Sequence, residues 1–190
     1  MDAARQDLHD ALLAHAVADE AERHDRDAIV ALVADSARCF DRRLYVPGHI
    51  TGSAFVVDAG SGRVLLHHHR RLDRWLQLGG HDEGEHDPLQ TALREAREES
   101  GLLDLAPLST AILDIDVHEI PAGRSEPPHL HHDVRYALQT GSPNAIAEQD
   151  AESLALAWLA PAEAARRMAE PGAERALLRL ATLLRSRARR

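Results

Sequence analysis

Apolar residues recur at helical spacing through the beginning of the chain. The positions concerned are Leu8, Leu12, Leu13 and Val17, and a second stretch with the same pattern covers Ala28–Ala37. The pattern predicts two helices, with a break somewhere between Asp19 and Asp27 and a turn at Pro47-Gly48. No catalytic motif lies in residues 1–47, which we interpret as an N-terminal helical extension.

After this turn the chain changes to short apolar or alternating runs that are typical of β-strands. The runs are Ile50–Val57, Val64–His69, Ile112–Ile120, Leu130–Leu138 and Leu154–Leu159. A glycine-containing turn joins the first two, which predicts a β-hairpin, and the third and fourth predict a second antiparallel pair. Further helices are predicted from Pro161 and over Glu174–Arg187.

The helix from Pro88 to Ser100 has the clearest boundaries in the sequence. Asp87 is placed to cap its first turn, Pro88 suits the first helical position, and Gly101 suits the position after its end. A buried stripe is predicted at positions i, i+3, i+4 and i+7, which are Leu89, Ala92, Leu93 and Ala96.

Composition and charge exclude several classes of function. The formal net charge of −9 argues against general nucleic-acid binding, which requires an excess of basic residues. All 22 basic residues are arginine, so chemistry that needs a lysine is excluded. The single cysteine, Cys39, excludes an internal disulfide framework. Since no apolar run is long enough to span a bilayer, we expect a soluble, cytoplasmic protein without membrane contact.

Three glutamates lie on one flank of the predicted helix. Glu95 is spaced i,i+3 from Glu98 and i,i+4 from Glu99, so their carboxylates repel one another. A hard divalent cation would turn this repulsive cluster into a binding site and could also hold a substrate phosphate. The alternative is a solvated acidic face, partly neutralised by Arg94 and Arg97.

The residues around these glutamates extend the pattern. The string Gly80-x5-His86-x7-Arg94-Glu95-Ala96-Arg97-Glu98-Glu99-Ser100-Gly101-Leu102 resembles the signature of the Nudix hydrolase family. That signature has a glutamate where this chain has His86, and usually a larger aliphatic residue where it has Ala96. Because acids crowd the same loop, Glu85 is a candidate substitute for the missing glutamate.

The resemblance implies a fold and an activity. It implies a Nudix-like α/β/α sandwich with a mixed β-sheet over residues 48–190, preceded by the extension. It also implies hydrolysis of a small-molecule diphosphate substrate with Mg²⁺ or Mn²⁺ and a water nucleophile. The N-terminal helices fall outside the resemblance, and their roles as a cap, a homodimer surface or plain packing are left open.

Roles for individual residues also follow from the resemblance. It implies that Glu95 and Glu99 hold the metal, with Glu98 as a further ligand or as the base. Arg94 would orient a carboxylate. The substrate-binding positions would be Gly79, Gly80 and His81, and the candidates for a base on a later loop are Glu148 and Glu152.

Histidines form a second candidate site. His118 alternates with Asp114 and Asp116 on one predicted strand, and His129 and His131 alternate with Asp133 on the next. If the two strands pair, His118, His129 and His131 are candidates for binding zinc or manganese, with a polar pocket wall or a solvated sheet face as the alternative.

Two other functions compete with hydrolysis. A non-catalytic nucleotide-sensing module of the same fold is possible because His86 departs from the signature. Isopentenyl-diphosphate isomerase has a Gly-His near the position of Gly80-His81, but it also needs a catalytic cysteine there, and Cys39 lies outside the region of resemblance.

Overall fold

The computed structural model describes residues 1–123, 126–146 and 153–187. Its five helices are α1 Ala3–Ala14, α2 Glu20–Asp35, α3 Pro88–Ser100, α4 Pro161–Met168 and α5 Pro171–Arg187. Its eight strands are β1 His49–Asp58, β2 Val64–His69, β3 Arg74–Leu76, β4 Leu78–His81, β5 Ala106–Pro107, β6 Asp114–Ile120, β7 His129–Thr140 and β8 Ser153–Leu159.

All eight strands belong to one mixed sheet. The central pair, β1 and β7, is parallel, with His49 opposite His131 in register. The other pairings are antiparallel: β1 also pairs with β2 and β4, β7 with β5 and β6, and β2 with β3 and β8. The predicted hairpin and the predicted second antiparallel pair are both confirmed.

Alternate residues of the central strands build a core on each face of the sheet. Ile50, Ala54 and Val56 belong to the core that includes side chains of α1, α2 and α3. Phe55 and Val57, which point to the opposite face, belong to the core that includes α4 and α5. The sheet therefore lies between two helical layers, as the predicted α/β/α sandwich requires.

The N-terminal helices differ from the prediction at their junction. Asp19 caps α2 by accepting a hydrogen bond from the Glu22 backbone N–H at 2.8 Å, so α2 begins at Glu20. The two predicted helices are confirmed, but the break between them covers residues 15–19, so it meets the predicted interval of Asp19 to Asp27 only at Asp19. Val17 lies in the connecting segment, outside both helices.

Ion pairs attach these helices to the rest of the protein. The buried carboxylate of Glu22 accepts hydrogen bonds from Arg179 of α5 and from His15. This contact gives the extension a packing role, while the division of the chain after residue 47 and a homodimer surface stay predictions. Among the described residues, no helix is long and apolar enough to cross a membrane.

Candidate active site

Helix α3 is positioned by its cap and by its buried face. The Asp87 carboxylate accepts hydrogen bonds from the backbone N–H groups of Leu89 at 2.9 Å and Gln90 at 3.4 Å. Gly101 ends the helix in the left-handed conformation with φ 73°. Ala92 and Ala96 have no exposed surface, so the helix lies close to the sheet and carries its glutamates along the edge of a cavity.

The two glycines of β4 lie directly against these glutamates. The Gly79 N–H donates to Glu99 Oε2 at 2.9 Å. A Cβ atom at Gly80 would lie 2.4 Å from Glu95 Oε1, so only glycine leaves room for that carboxylate in its present place. Both glycines are therefore close to the acidic cluster, although the sequence assigned them to the substrate.

Arg94 holds the cluster together. Its Nε donates to Glu85 Oε1 at 2.6 Å, Nη1 donates to Glu98 Oε2 at 3.0 Å, and Nη2 donates to the carbonyl oxygen of His81 at 2.6 Å. Nη1 also lies 3.1 Å from Glu95 Oε1. Glu85 thus contacts the arginine of the motif, while the neighbouring His86 stacks on Phe40 with ring centroids 5.3 Å apart.

Burial and charge shift the ionisation of this cluster. Burial raises the pKa of Glu95 above its ordinary value, against the opposing effect of Arg94. Burial would also raise the pKa of Glu85, but hydrogen bonds from the Glu83 N–H and from Arg94 outweigh it and lower that pKa. Because burial disfavours the charged form of Glu95, a cation bound to its oxygens would stabilise this carboxylate.

The glutamates open onto a cavity of about 1090 Å³. Glu95, Glu98 and Glu99 all line it, as do arginines from several segments: Arg42, Arg70, Arg71, Arg74, Arg94 and Arg135. None of the described residues that line it is Phe, Tyr or Trp. The side chains on its wall are therefore suited to anionic groups and to cations rather than to a large apolar ligand.

Two contacts of this cavity were not predicted. Nδ1 of His67 lies 3.4 Å from Glu99 Oε1, and both residues are buried. Asp133 accepts hydrogen bonds from Thr51 Oγ1 at 3.0 Å and Ser53 Oγ at 2.7 Å. It also accepts from Gln77 Nε2 at 3.1 Å, and from the guanidinium Nε of Arg135 at 3.0 Å. Alternation along a single strand cannot identify the partner of His67, because Glu99 lies on helix α3.

The histidine site differs from the prediction in one member. Among the described residues, His49, His129 and His131 are the three metal-ligating side chains whose ligand atoms all lie within 4.8 Å of one another. His118 is not in this set; its ring centroid lies 5.7 Å from that of His131, and its Nδ1 contacts Asp116 Oδ2 at 2.8 Å. His129 and His131 therefore lie together as the candidate set requires, and His49 is the third member of the compact group in place of His118.

Burial disfavours the charged form of three imidazoles in this region. It lowers the pKa of His81 to about 3, with smaller contributions from nearby positive charge. It also lowers the pKa of His49 and of His131, where neighbouring imidazoles add to the effect. His81 Nε2 lies 3.2 Å from His131 Nε2, so the predicted substrate-binding histidine is in contact with the histidine set.

Glu148 and Glu152, the predicted candidates for a base on a later loop, lie outside the described residues. The remaining motif residues, Arg94, Glu95, Glu98 and Glu99, are brought to one cavity wall.

Comparison with known proteins places the chain in a family. Residues 48–180 match the sequence family described as the NUDIX domain. No curated protein sequence matches the chain significantly.

Similar solved structures agree in fold. A C. elegans Ap4A hydrolase is 17% identical, with a TM-score of 0.51, over 72% of this chain and 98% of that one. An E. coli dihydroneopterin triphosphate pyrophosphohydrolase is 20% identical, with a TM-score of 0.50, over 67% and 91%. A Nudix hydrolase from M. smegmatis is 21% identical, with a TM-score of 0.54, over 73% and 86%.

Proposed function

Since the chain belongs to the Nudix hydrolase family, whose members hydrolyse phosphorus-containing anhydrides, we propose that it is a metal-dependent pyrophosphohydrolase. Its substrate would be a nucleotide or a related small phosphorylated metabolite. Water would attack one phosphorus atom of a diphosphate linkage, the P–O bond to the bridging oxygen would break, and two phosphorylated products would leave.

One observation carries this proposal. Glu95, Glu98 and Glu99 line the same large cavity as six arginines, so its wall offers both carboxylates for a cation and guanidinium groups for phosphates. An acidic cluster alone would repel an anionic substrate, and a basic wall alone would hold it without activating it. The combination favours hydrolysis of a phosphorus anhydride over simple storage of an anion.

The residues present fit a hard divalent cation such as Mg²⁺ or Mn²⁺. All three donors are carboxylates, and the glycine at position 80 leaves space against the Glu95 oxygens that a Cβ would fill. Glu95 and Glu99 would hold the cation, with Glu98 as a further ligand. When bound, the cation would neutralise phosphate charge and lower the pKa of a coordinated water.

The protein side chains supply orientation and proton transfer. Glu98 is our candidate for accepting the proton of the attacking water, because its carboxylate is exposed beside Arg94. Arg94 would fix the directions of Glu85 and Glu98 through its planar guanidinium. Gly79, Gly80 and His81 form the cavity wall next to these groups and would contact the phosphates. Glu152 remains our second candidate for the base.

The proposal is tested by hydrolysis assays on a panel of nucleotide and non-nucleotide diphosphates, each with Mg²⁺, with Mn²⁺ and with chelator. The panel includes Ap4A and dihydroneopterin triphosphate, because the names of two of the similar structures contain these compounds. We expect Glu98→Gln and Glu99→Gln each to lower kcat by about 10²- to 10⁴-fold while the fold is retained.

Glu163→Gln is the matched control, because Glu163 pairs only with arginines of its own helix among the described residues. Wild-type turnover in both active-site variants would refute the assignment of the site. Tight binding of a nucleotide without cleavage of any compound would instead support the nucleotide-sensing module.

A further inference from the structure

Three histidine rings form a compact triangle where β1 and β7 begin. The centroids of His49, His129 and His131 lie 4.9 to 5.2 Å apart. His49 is the register partner of His131 across the parallel pair, and His129 precedes His131 by two residues, so it shares the same face of β7. The sheet itself therefore fixes the positions of all three backbones.

The orientation of two rings leaves one nitrogen of each available. Nδ1 of His49 contacts the carbonyl oxygen of Leu44 at 3.2 Å, and Nδ1 of His129 contacts that of Pro127 at 2.8 Å. Since only a protonated Nδ1 can donate to a carbonyl, a ring that carries a single proton holds it on Nδ1 and keeps the lone pair of Nε2 for a ligand. Metal-bound histidines commonly donate their other N–H to a backbone carbonyl in this way.

Nε2 of His49 provides an independent sign of a missing partner. The residue has no exposed surface, and this nitrogen has no hydrogen-bond partner among the described residues. A buried acceptor without a partner is unfavourable, and a bound water or ion is one of the groups that can satisfy such an atom.

We propose that His49, His129 and His131 bind a borderline divalent transition metal, for which Zn²⁺ is the best match. Three imidazoles without a carboxylate suit Zn²⁺ and disfavour Mg²⁺, which prefers oxygen ligands. Around a tetrahedral Zn²⁺ with Zn–N distances of about 2.0–2.1 Å, imidazole centroids lie about 5 Å apart, close to the separations observed here. The ligand atoms of the three histidines lie within 4.8 Å of one another, so small side-chain rotations would bring them into position around one metal ion.

The site would keep an open position on the cavity side. His129 and His131 line the cavity that Glu95, Glu98 and Glu99 also line. Three protein ligands with a fourth position open to a cavity are typical of zinc sites that bind water or a substrate atom, rather than of closed structural sites. An oxygen of an anionic ligand in the cavity is the group that this position would accept.

The test measures Zn²⁺ binding directly. The chain is produced without a polyhistidine tag, stripped with chelator, and titrated with Zn²⁺ against a chromogenic chelator, with thermal unfolding recorded in parallel. We expect one Zn²⁺ per chain and a higher Tm with the metal. His129→Gln and His131→Gln should each weaken binding by more than the roughly 10- to 100-fold typical for loss of an outer-shell partner.

Two control variants distinguish the triangle from the other histidines and carboxylates of the chain. His68→Gln removes a histidine that stacks on Trp75 outside the triangle and should leave Zn²⁺ affinity unchanged. Glu98→Gln should also leave it unchanged. His49→Gln is also measured. His131→Gln is the more informative variant, because His131 is only partly buried and its replacement should disturb the fold less than replacement of the buried His49.

The proposal is overturned if folded His129→Gln and His131→Gln bind Zn²⁺ as the wild type does. It is also overturned if Glu98→Gln abolishes binding while the histidine variants retain it, since Zn²⁺ would then occupy the carboxylates. Failure of hydrolysis on every compound of the panel would refute the proposed function without touching this result.

Discussion

Gly80→Ala should lower the activity of the protein about 10²-fold while leaving its fold intact. The added Cβ would lie 2.4 Å from Glu95 Oε1 and 2.6 Å from its Cδ. Ordinary contact begins at 3.4 Å, so the carboxylate must move by about 1 Å. Because the clash involves the end of a flexible side chain, rotation of Glu95 relieves it with a loss of stability below the roughly 1–3 kcal/mol typical of overpacking.

The displaced carboxylate is the reason to expect a loss of activity. Glu95 is proposed to hold the catalytic cation, and a displacement of about 1 Å in such a group can lower the rate about 10²-fold. The assay measures kcat at saturating Mg²⁺ and at increasing Mn²⁺ concentrations. The free energy of unfolding in urea is measured on the same preparation. A large fall in kcat with nearly unchanged stability is the expected result.

Two other glycines of the chain serve as controls. In Gly52→Ala the Cβ would lie 2.2 Å from the backbone oxygen of Pro88, which cannot rotate away, so this variant should lose stability. In Gly60→Ala the nearest atom is Asp58 Oδ1 at 3.4 Å, and neither property should change. If Gly80→Ala keeps wild-type kcat, or if it unfolds as readily as Gly52→Ala, the reasoning about Glu95 is refuted.

Two further predictions concern stability. Asp87→Ala removes the cap of α3 and should lower the unfolding free energy by about 1 kcal/mol in urea titrations, and an unchanged value would contradict the capping role. Burial alone would raise the pKa of Glu22, but hydrogen bonds from His15 and Arg179 lower it from 4.5 to about 2. This group therefore stabilises the protein above about pH 4.5, and roughly 3 kcal/mol should be lost as pH falls toward 2. Between about pH 6 and about pH 3, the unfolding free energy of Glu22→Gln should fall by less than that of the wild type, whereas that of the exposed variant Glu174→Gln should fall as in the wild type. Equal falls in all three proteins would contradict the role given to Glu22.

Local signals predicted the part of the fold that carries the motif. Helix α3 was predicted at Pro88–Ser100, and the structure gives the same bounds, because Asp87 and Gly101 act through atoms within a few residues. The same kind of signal was missed at Asp19, which lies in a polar stretch without apolar periodicity. The predicted break therefore extended beyond Asp19, into residues that the structure places in α2.

Long-range pairing explains why the histidine site was predicted only in part. Alternation along β7 correctly placed His129 and His131 on one face, and pairing with β6 brought His118 opposite His131. However, β7 has a second neighbour, β1, whose parallel pairing sets His49 opposite the same residue. A parallel partner far away in sequence leaves no local signal, since no turn or loop length reveals it.

One face of β1 connects the two candidate sites. The side chains on this face are those of His49, Thr51 and Ser53. His49 belongs to the histidine triangle, whereas Thr51 and Ser53 donate hydrogen bonds to Asp133. Ser53 is also the register partner of Gly79, whose N–H donates to Glu99. At about 3.3 Å per residue, His49 and Ser53 lie about 13 Å apart.

The two sets of candidate ligands differ in chemistry, and the acid between them does not bridge them. Asp133 accepts hydrogen bonds from Thr51, Ser53, Gln77 and Arg135, so its oxygens are engaged and it does not bridge the two sets. Carboxylates at one end and imidazoles at the other select different cations. Substitutions at either end should therefore change one metal affinity without changing the other.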